Sequence, residues 1–410
     1  MKKIISALVL GATATALATA DISIKANSKL SMFAFKYDSN STNTKKDADG
    51  KKSSKTLFNG LAGYANPQDN VALVAAGDIF TFSATLQPRA DNDDVRLKRT
   101  TIRAKLGDFF LETGWNRDGT ATIKSSGSAG NDEGKLFESY KIGSAFGGDA
   151  AFVNNQIAFG KDQPTYFLQA GYNIRLTDDL KLAVSAAALS PHGFNKSKSG
   201  EPDKFAARAY NVGWSAFVSP SFKKLFTAEV FAKGYKNKDD KQQLFFGAYV
   251  KPTVVSMIKD SAFGGSVYLD DGELEEWNID LRCVLQLSEK LKLTTLNKLA
   301  YKDTATPVAG NVAFATNFTC KQVLWDMVSV EYKLNNTVAL TGTVGQQTAL
   351  KAGDGGVKGT TVYVYPHAQV FASSNASIMT GAALTIDRIN MNEYDAKVLV
   401  HVPLVVKLTL

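Results

Sequence analysis

The chain has 410 residues, 44% of them hydrophobic and 21% charged, with a formal net charge of +8. The basic excess is spread along the sequence with no dense Lys/Arg stripe, which speaks against nucleic acid as a partner. Two cysteines and three histidines leave little for a disulfide framework or histidine-based catalysis, whereas 24 phenylalanines and 32 glycines suit an all-β chain.

Residues 1–20, MKKIISALVLGATATALATA, set Lys2 and Lys3 before a short apolar run and close on Ala18-Thr19-Ala20. That is the layout of a bacterial secretory signal cut near Ala20, with Ala16 and Ala18 as alternative cuts. The run is short for a bilayer-spanning helix. No run of about 18 apolar residues follows, so no transmembrane helix is expected.

The first polar loop, DSNSTNTKKDADGKKSSK from Asp38 to Lys55, is the longest. Its DADG at Asp47, like DDGELEE at Asp270, resembles an oxygen-rich calcium loop only loosely and lacks full ligand spacing. No HExxH or paired CxxC occurs, so neither a metal nor another cofactor is expected. Next comes DIFTFSATLQ, with Phe80, Phe82, Ala84 and Leu86 on one face and Thr81, Ser83, Thr85 and Gln87 on the other. Period-two alternation of this kind marks a strand with one apolar and one wet face. Arg99 and Arg103 follow in VRLKRTTIRAKL. Alternation is less regular over the first 160 residues than beyond Pro164. One barrel over 21–410 is expected, with a separate region at 21–160 before a smaller barrel at 164–410 as the alternative.

From Gly171 the pattern is clear. GYNIRLTDDLKLAVSAAAL places Tyr172, Ile174, Leu176, Leu180, Leu182, Val184, Ala186 and Ala188 on one face, with Arg175, Lys181 and Ser185 on the other. The motif returns as QLSEKLKLTT at Gln286 and YKLNNTVALTG at Tyr332, with related turns at Val218 and Phe371 and another near Val255 to Asp260. Each reads as strand, short turn, strand. Between these turns lie longer polar stretches: Ser190 to Lys204, Lys236 to Gln242, Asp270 to Glu276 and Lys351 to Gly359. AFGG, at Ala145 and again at Ala262, reads as glycine turns rather than a phosphate loop. NIDLRCVLQL alternates Ile279, Leu281, Cys283, Leu285 and Leu287 with Asn278, Asp280, Arg282 and Gln286, and TVYVYPHAQV puts His367 on the polar face. Cys283 and Cys320 read as two unpaired small apolar residues. The final VLVHVPLVVKLTL carries Val398 to Leu410 on one face, a closing strand, although it ends on Leu410 where barrel-assembly signals commonly end in an aromatic residue.

Short turns alternating with longer loops is the asymmetry of an outer-membrane barrel, with short turns toward the periplasm. In hydrocarbon every backbone polar group needs a partner, so a spanning sheet must close on itself. At roughly 20 to 24 residues per strand and connection, the mature chain makes about 16 to 20 strands, with 18 the best fit. The fold class is thus an all-β transmembrane antiparallel barrel in outer-membrane lipid. Candidate pore-lining residues are Arg99, Arg103, Arg175, Lys181 and Arg282. Glu112, Glu138 and Glu229 on the same face make the lumen mixed in sign and weakly selective. Tyr166, Trp214, Tyr249, Trp277 and Trp325 lie near strand ends and are candidates for interfacial girdles. No catalytic residues are assigned, since no motif couples a histidine to a nucleophile.

The leader MKKIISALVLGATATALA and the following ADISIKANSKLSMFAF resemble the start of the treponemal major outer sheath (major surface) protein family. The resemblance implies an abundant spirochaete outer-membrane protein, described in two parts, with pore-forming activity. It also implies a homo-oligomer, with a trimer as a candidate form, and adhesion to host extracellular-matrix proteins. Two functions follow: a porin passing small hydrophilic solutes, or a surface adhesin displaying loops such as Asp38 to Lys55. A barrel enzyme is disfavoured by the scarcity of histidine.

Overall fold

The computed structural model describes residues 21–38, 57–59, 64–65, 70–89, 94–116, 165–190, 213–223, 225–236, 241–254, 256–259, 261–302, 320–352, 359–389 and 396–409. The leader, the polar loop after Asp38 with its DADG, the loop after Ser190 with His192, AFGG at Ala145 and Glu138 lie outside the described residues.

Strands account for nearly everything described. They are β1 (Asp21–Asp38), β2 (Leu57–Asn59), β3 (Tyr64–Ala65), β4 (Asn70–Ala76), β5 (Phe80–Arg89), β6 (Asp94–Leu106) and β7 (Phe109–Asn116). Then come β8 (Thr165–Arg175), β9 (Leu180–Ser190), β10 (Gly213–Phe222), β11 (Phe226–Lys236), β12 (Gln242–Pro252), β13 (Ala262–Asp270) and β14 (Glu273–Gln286). The last are β15 (Leu291–Lys302), β16 (Cys320–Lys333), β17 (Val338–Ala352), β18 (Thr360–Ser373), β19 (Ala376–Gly381), β20 (Ala383–Ile389) and β21 (Lys397–Thr409).

From β4 to β19 each strand pairs antiparallel with its neighbours in sequence. The two ends of this ribbon meet. β21 runs against β1 from Asn27 opposite Thr409 to Asp38 opposite Leu399, with a bulge between Phe33 and Phe35. The other edge of β1 takes β4 at Asp21–Asn27, β3 at Ser31–Met32 and β2 at Lys36–Asp38. β2, β3 and β4 are thus three pieces of one stave. Likewise β19 and β20 both lie between β18 and β21, broken at Ala382 beside Pro366, and form a second composite stave. Counted this way the 21 segments among the described residues make 18 staves in a closed ring. Pairing of β1 with β21 on one side and with β4 on the other closes the sheet on itself among the described residues, which is what an apolar solvent demands.

The short turns share one chemistry. In the three related motifs Thr177, Ser288 and Asn335 each accept the backbone N–H that opens the next strand, from Leu180 at 2.9 Å, Leu291 at 3.1 Å and Val338 at 2.8 Å. The preceding leucines, Leu176, Leu287 and Leu334, donate their N–H to the carbonyls of Leu180, Leu291 and Val338. A short polar side chain mimics a backbone turn here, and the recurring sequence is the recurring cap. The acidic stretch at Asp270 differs from expectation. It is no long loop but a two-residue hairpin, with Asp271 at φ 53° and Gly272 at φ 86°. Both central residues take positive φ, as an Asp-Gly type I′ turn requires. AFGG at Ala262 is likewise no turn; it is the start of β13.

The two faces of the wall differ as the alternation requires. Leu168, Tyr172, Val184, Val218, Val230 and Ile279 point outward, with Leu168 and Val230 each 52% exposed. Gln169, Ser185, Ser215, Ser329 and Thr343 point inward and are buried. An apolar face turned outward inverts a soluble protein and suits lipid. Cys283 is a free thiol on the outward face.

Candidate channel lining

The inward face is built from rows of residues that share a register across neighbouring strands. In one row Thr81, Arg103, Glu112 and Gln169 stand side by side on β5, β6, β7 and β8. Arg103 Nη1 lies 3.9 Å from Glu112 Oε2, and its guanidinium sits 4.2 Å above the Phe110 ring. Ser83 and Thr101 share a hydroxyl hydrogen bond of 2.6 Å nearby, and Gln169 donates to Ser185 at 3.1 Å. A cavity of about 360 Å³ opens beside Arg103, lined also by Thr81, Lys105, Asp108, Phe110 and Asn173.

A second charged row lies across the ring. Lys292 and Glu331 face one another on β15 and β16 and form an ion pair of 2.7 Å. Thr341 and His367 continue the row on β17 and β18, and His367 stacks on Tyr365 with ring centres 4.3 Å apart. Ser329 and Thr343 share a hydrogen bond of 2.9 Å one row away. Cation and carboxylate alternate on the wall, so the field each projects into the lumen is cut down by its neighbour.

The candidate residues fall at different heights. Arg103 faces inward and is half-buried; Arg99 lies in the same strand opposite Thr85 and Asn116. Arg282 is half-buried between Ala262 and Leu296 on β14, eight staves from β6 in a ring of 18 and so almost opposite Arg103. Arg175 and Lys181 are direct partners, but they form the last pair before the β8–β9 turn and are exposed at the short-turn rim. There Arg175 donates to Asp178 at 2.7 Å. Six residues separate Arg175 from Gln169 on β8, about 20 Å along a strand. These five residues are therefore not one cluster.

Sequence reasoning missed the aromatic part of the lining. Tyr249, read as a girdle residue, is 1% exposed and packs on the inner wall with Phe217 and Phe231. Phe231 and Tyr249 stack with ring centres 5.9 Å apart. The ring of Tyr249 lies over Gly264 on the next strand, where any side chain would strike it, and Phe110 and Phe231 cover Gly171 and Gly247 in the same way. Glycine lets each ring lie flat against the wall. Trp214 is exposed outward, and Trp277 stacks on Tyr301 at 6.0 Å on the outward face, as girdle residues would. Glu112 and Glu229 face inward and are buried.

No family model matches the chain, and no curated protein matches it in sequence. Solved structures do match in shape. Pseudomonas aeruginosa OpdL is 13% identical, covering 94% of this chain and 98% of its own, with a TM-score of 0.51. Pseudomonas aeruginosa OccK10 (OpdN) is 10% identical, covering 95% and 99%, with a TM-score of 0.52. The fold is that of an outer-membrane porin barrel. At such identity the likeness carries the fold and no residue roles.

Proposed function

We propose that the chain is an outer-membrane channel through which small hydrophilic solutes diffuse passively, with no covalent chemistry. The observation that carries this reading is the closed ring of 18 staves with an apolar exposed face and an inner face of paired charges and hydroxyls. On this reading residues 1–20 are removed on export, 21–410 form one barrel domain, and the short turns face the periplasm. Arg99, Arg103 and Arg282 belong to the pore wall, with Arg175 and Lys181 at its periplasmic mouth. Selectivity is weak, because Arg103 and Lys292 each have a carboxylate partner. Kinship with the treponemal major outer sheath proteins, and the homo-oligomer it implies, is supported by the leader and the start of β1.

The test is planar-bilayer conductance of the purified protein under a salt gradient. Stepwise insertion of ohmic channels with a small reversal potential is expected. A protein that inserts and carries no current would refute the proposal.

A further inference from the structure

From the level of Tyr332 to that of Leu299 the outward face of β14 to β18 is apolar or hydroxylic at every level but one. Asn297, Asp326 and Gln346 stand side by side on β15, β16 and β17. They share a face with Val328, Val330 and Val344, which are exposed outward on those strands. Asn297 Nδ2 donates to Asp326 Oδ1 at 2.7 Å, and Gln346 Nε2 donates to Asp326 Oδ2 at 3.0 Å. Among the described residues Asp326 is the one charged side chain on this face more than two residues inside a strand.

Its height matters. Exposed Tyr332 stands six residues along β16 toward the short turns, about 20 Å along the strand and about 15 Å along a membrane normal at ordinary tilt. In the other direction Tyr301, stacked on Trp277, stands four residues beyond Asn297. The polar row therefore lies between two aromatic levels, within the hydrocarbon band. An ionisable group at that depth marks a contact rather than bare lipid. Lipid tails offer nothing to the second amide N–H of Gln346 or to the remaining lone pairs of Asp326.

We propose that this wall is covered by a second copy of the chain, Gln346 of one copy donating its remaining N–H to Asp326 of the partner subunit. The row holds both donor and acceptor, so one patch serves each side of the contact, and a closed ring of copies hands the same bond on. The wall is also shaped for close approach. Gly342, two residues from Val344 on the same face, leaves open space where a Cβ would point. Its row neighbours are Val330 and the exposed Pro366. Small residues at such a notch let membrane-embedded surfaces meet closely. The inference rests on the reading of the outward face as membrane-embedded.

The test uses the full chain folded into liposomes with Cys283→Ser and Cys320→Ser. Gly342→Cys is compared with Val218→Cys, on the outward face of β10 seven staves away. Under mild oxidation Gly342→Cys should cross-link copies and Val218→Cys should not. Adding Asp326→Leu with Gln346→Leu should lower the cross-linked fraction about tenfold, as expected for the loss of that hydrogen bond in a membrane. Single-channel conductance should persist in that variant. Absence of cross-linking at position 342, equal cross-linking at both positions, or indifference to the leucine pair would overturn the inference. If the leucine pair does not fold, the comparison of the two cysteines decides. Cross-linking without conductance would sink the channel reading and leave this contact standing.

Discussion

Replacing Glu112 by Gln tests whether the Arg103 row faces the permeation path. Glu112 is 3% exposed and its carboxylate lies 3.9 Å from Arg103. At that separation the gross attraction is about 4 kcal/mol for an effective dielectric constant near 20, enough to hold the two charges together as a dipole. The Gln variant keeps the shape and takes one negative charge out of the wall beside Arg103. An ion passing about 7 Å away through water then feels about 0.6 kcal/mol, close to RT. At that point anions are enriched about threefold and cations depleted about threefold, before screening by salt. The measurement is the reversal potential of single channels under a tenfold chloride gradient at low ionic strength. A shift toward anion selectivity of about two- to sevenfold in the permeability ratio is expected, shrinking as salt is raised. An unchanged reversal potential in a folded, conducting variant would show that ions do not pass this wall.

Gly264→Val should destabilise the barrel by about 1–3 kcal/mol, because the added Cβ meets the Ala248 carbonyl and the Tyr249 backbone, which cannot turn aside; urea unfolding in detergent checks it. Gly272→Ala should cost about 1 kcal/mol through its positive φ alone, since nothing else lies within 4 Å, and the same unfolding curve reads it. A double-mutant cycle of Lys292→Met and Glu331→Gln should return a coupling of about 0.5–1 kcal/mol at low salt, falling as salt rises, because both side chains are partly open to solvent.

Much of the fold was legible because lipid and lumen impose opposite demands on successive residues. GYNIRLTDDLKLAVSAAAL assigned β8, its turn and β9 to the correct faces, since Tyr172, Val184 and Ala188 outward and Arg175, Lys181 and Ser185 inward differ sharply in polarity. Spacing bounded the strand number at about 16 to 20, and the described strands pair into 18 staves within that range. Where inner residues are themselves apolar the signal fades. In QQLFFGAYVKP, Tyr249 faces in while Phe246 and Ala248 face out, so period two left no mark, and the aromatic lining went unseen. The Asp-Gly hairpin at Asp271 was hidden inside an acidic run that resembled a loop. Alternation also assigns a face but no height. Only the cross-strand register separates Arg175 and Lys181 at the rim from Arg103 in the wall.

The seam between β1 and β21 joins the first described strand to the last, so its contacts span almost the whole polypeptide. Contacts that far apart in sequence form late, because the intervening chain must be gathered first. Until Thr409 reaches Asn27, two long strand margins stay bare, each a template for a stranger's backbone. A chain released before the thirteen residues of β21 would therefore keep those margins permanently, and would need a chaperone to escape clumping.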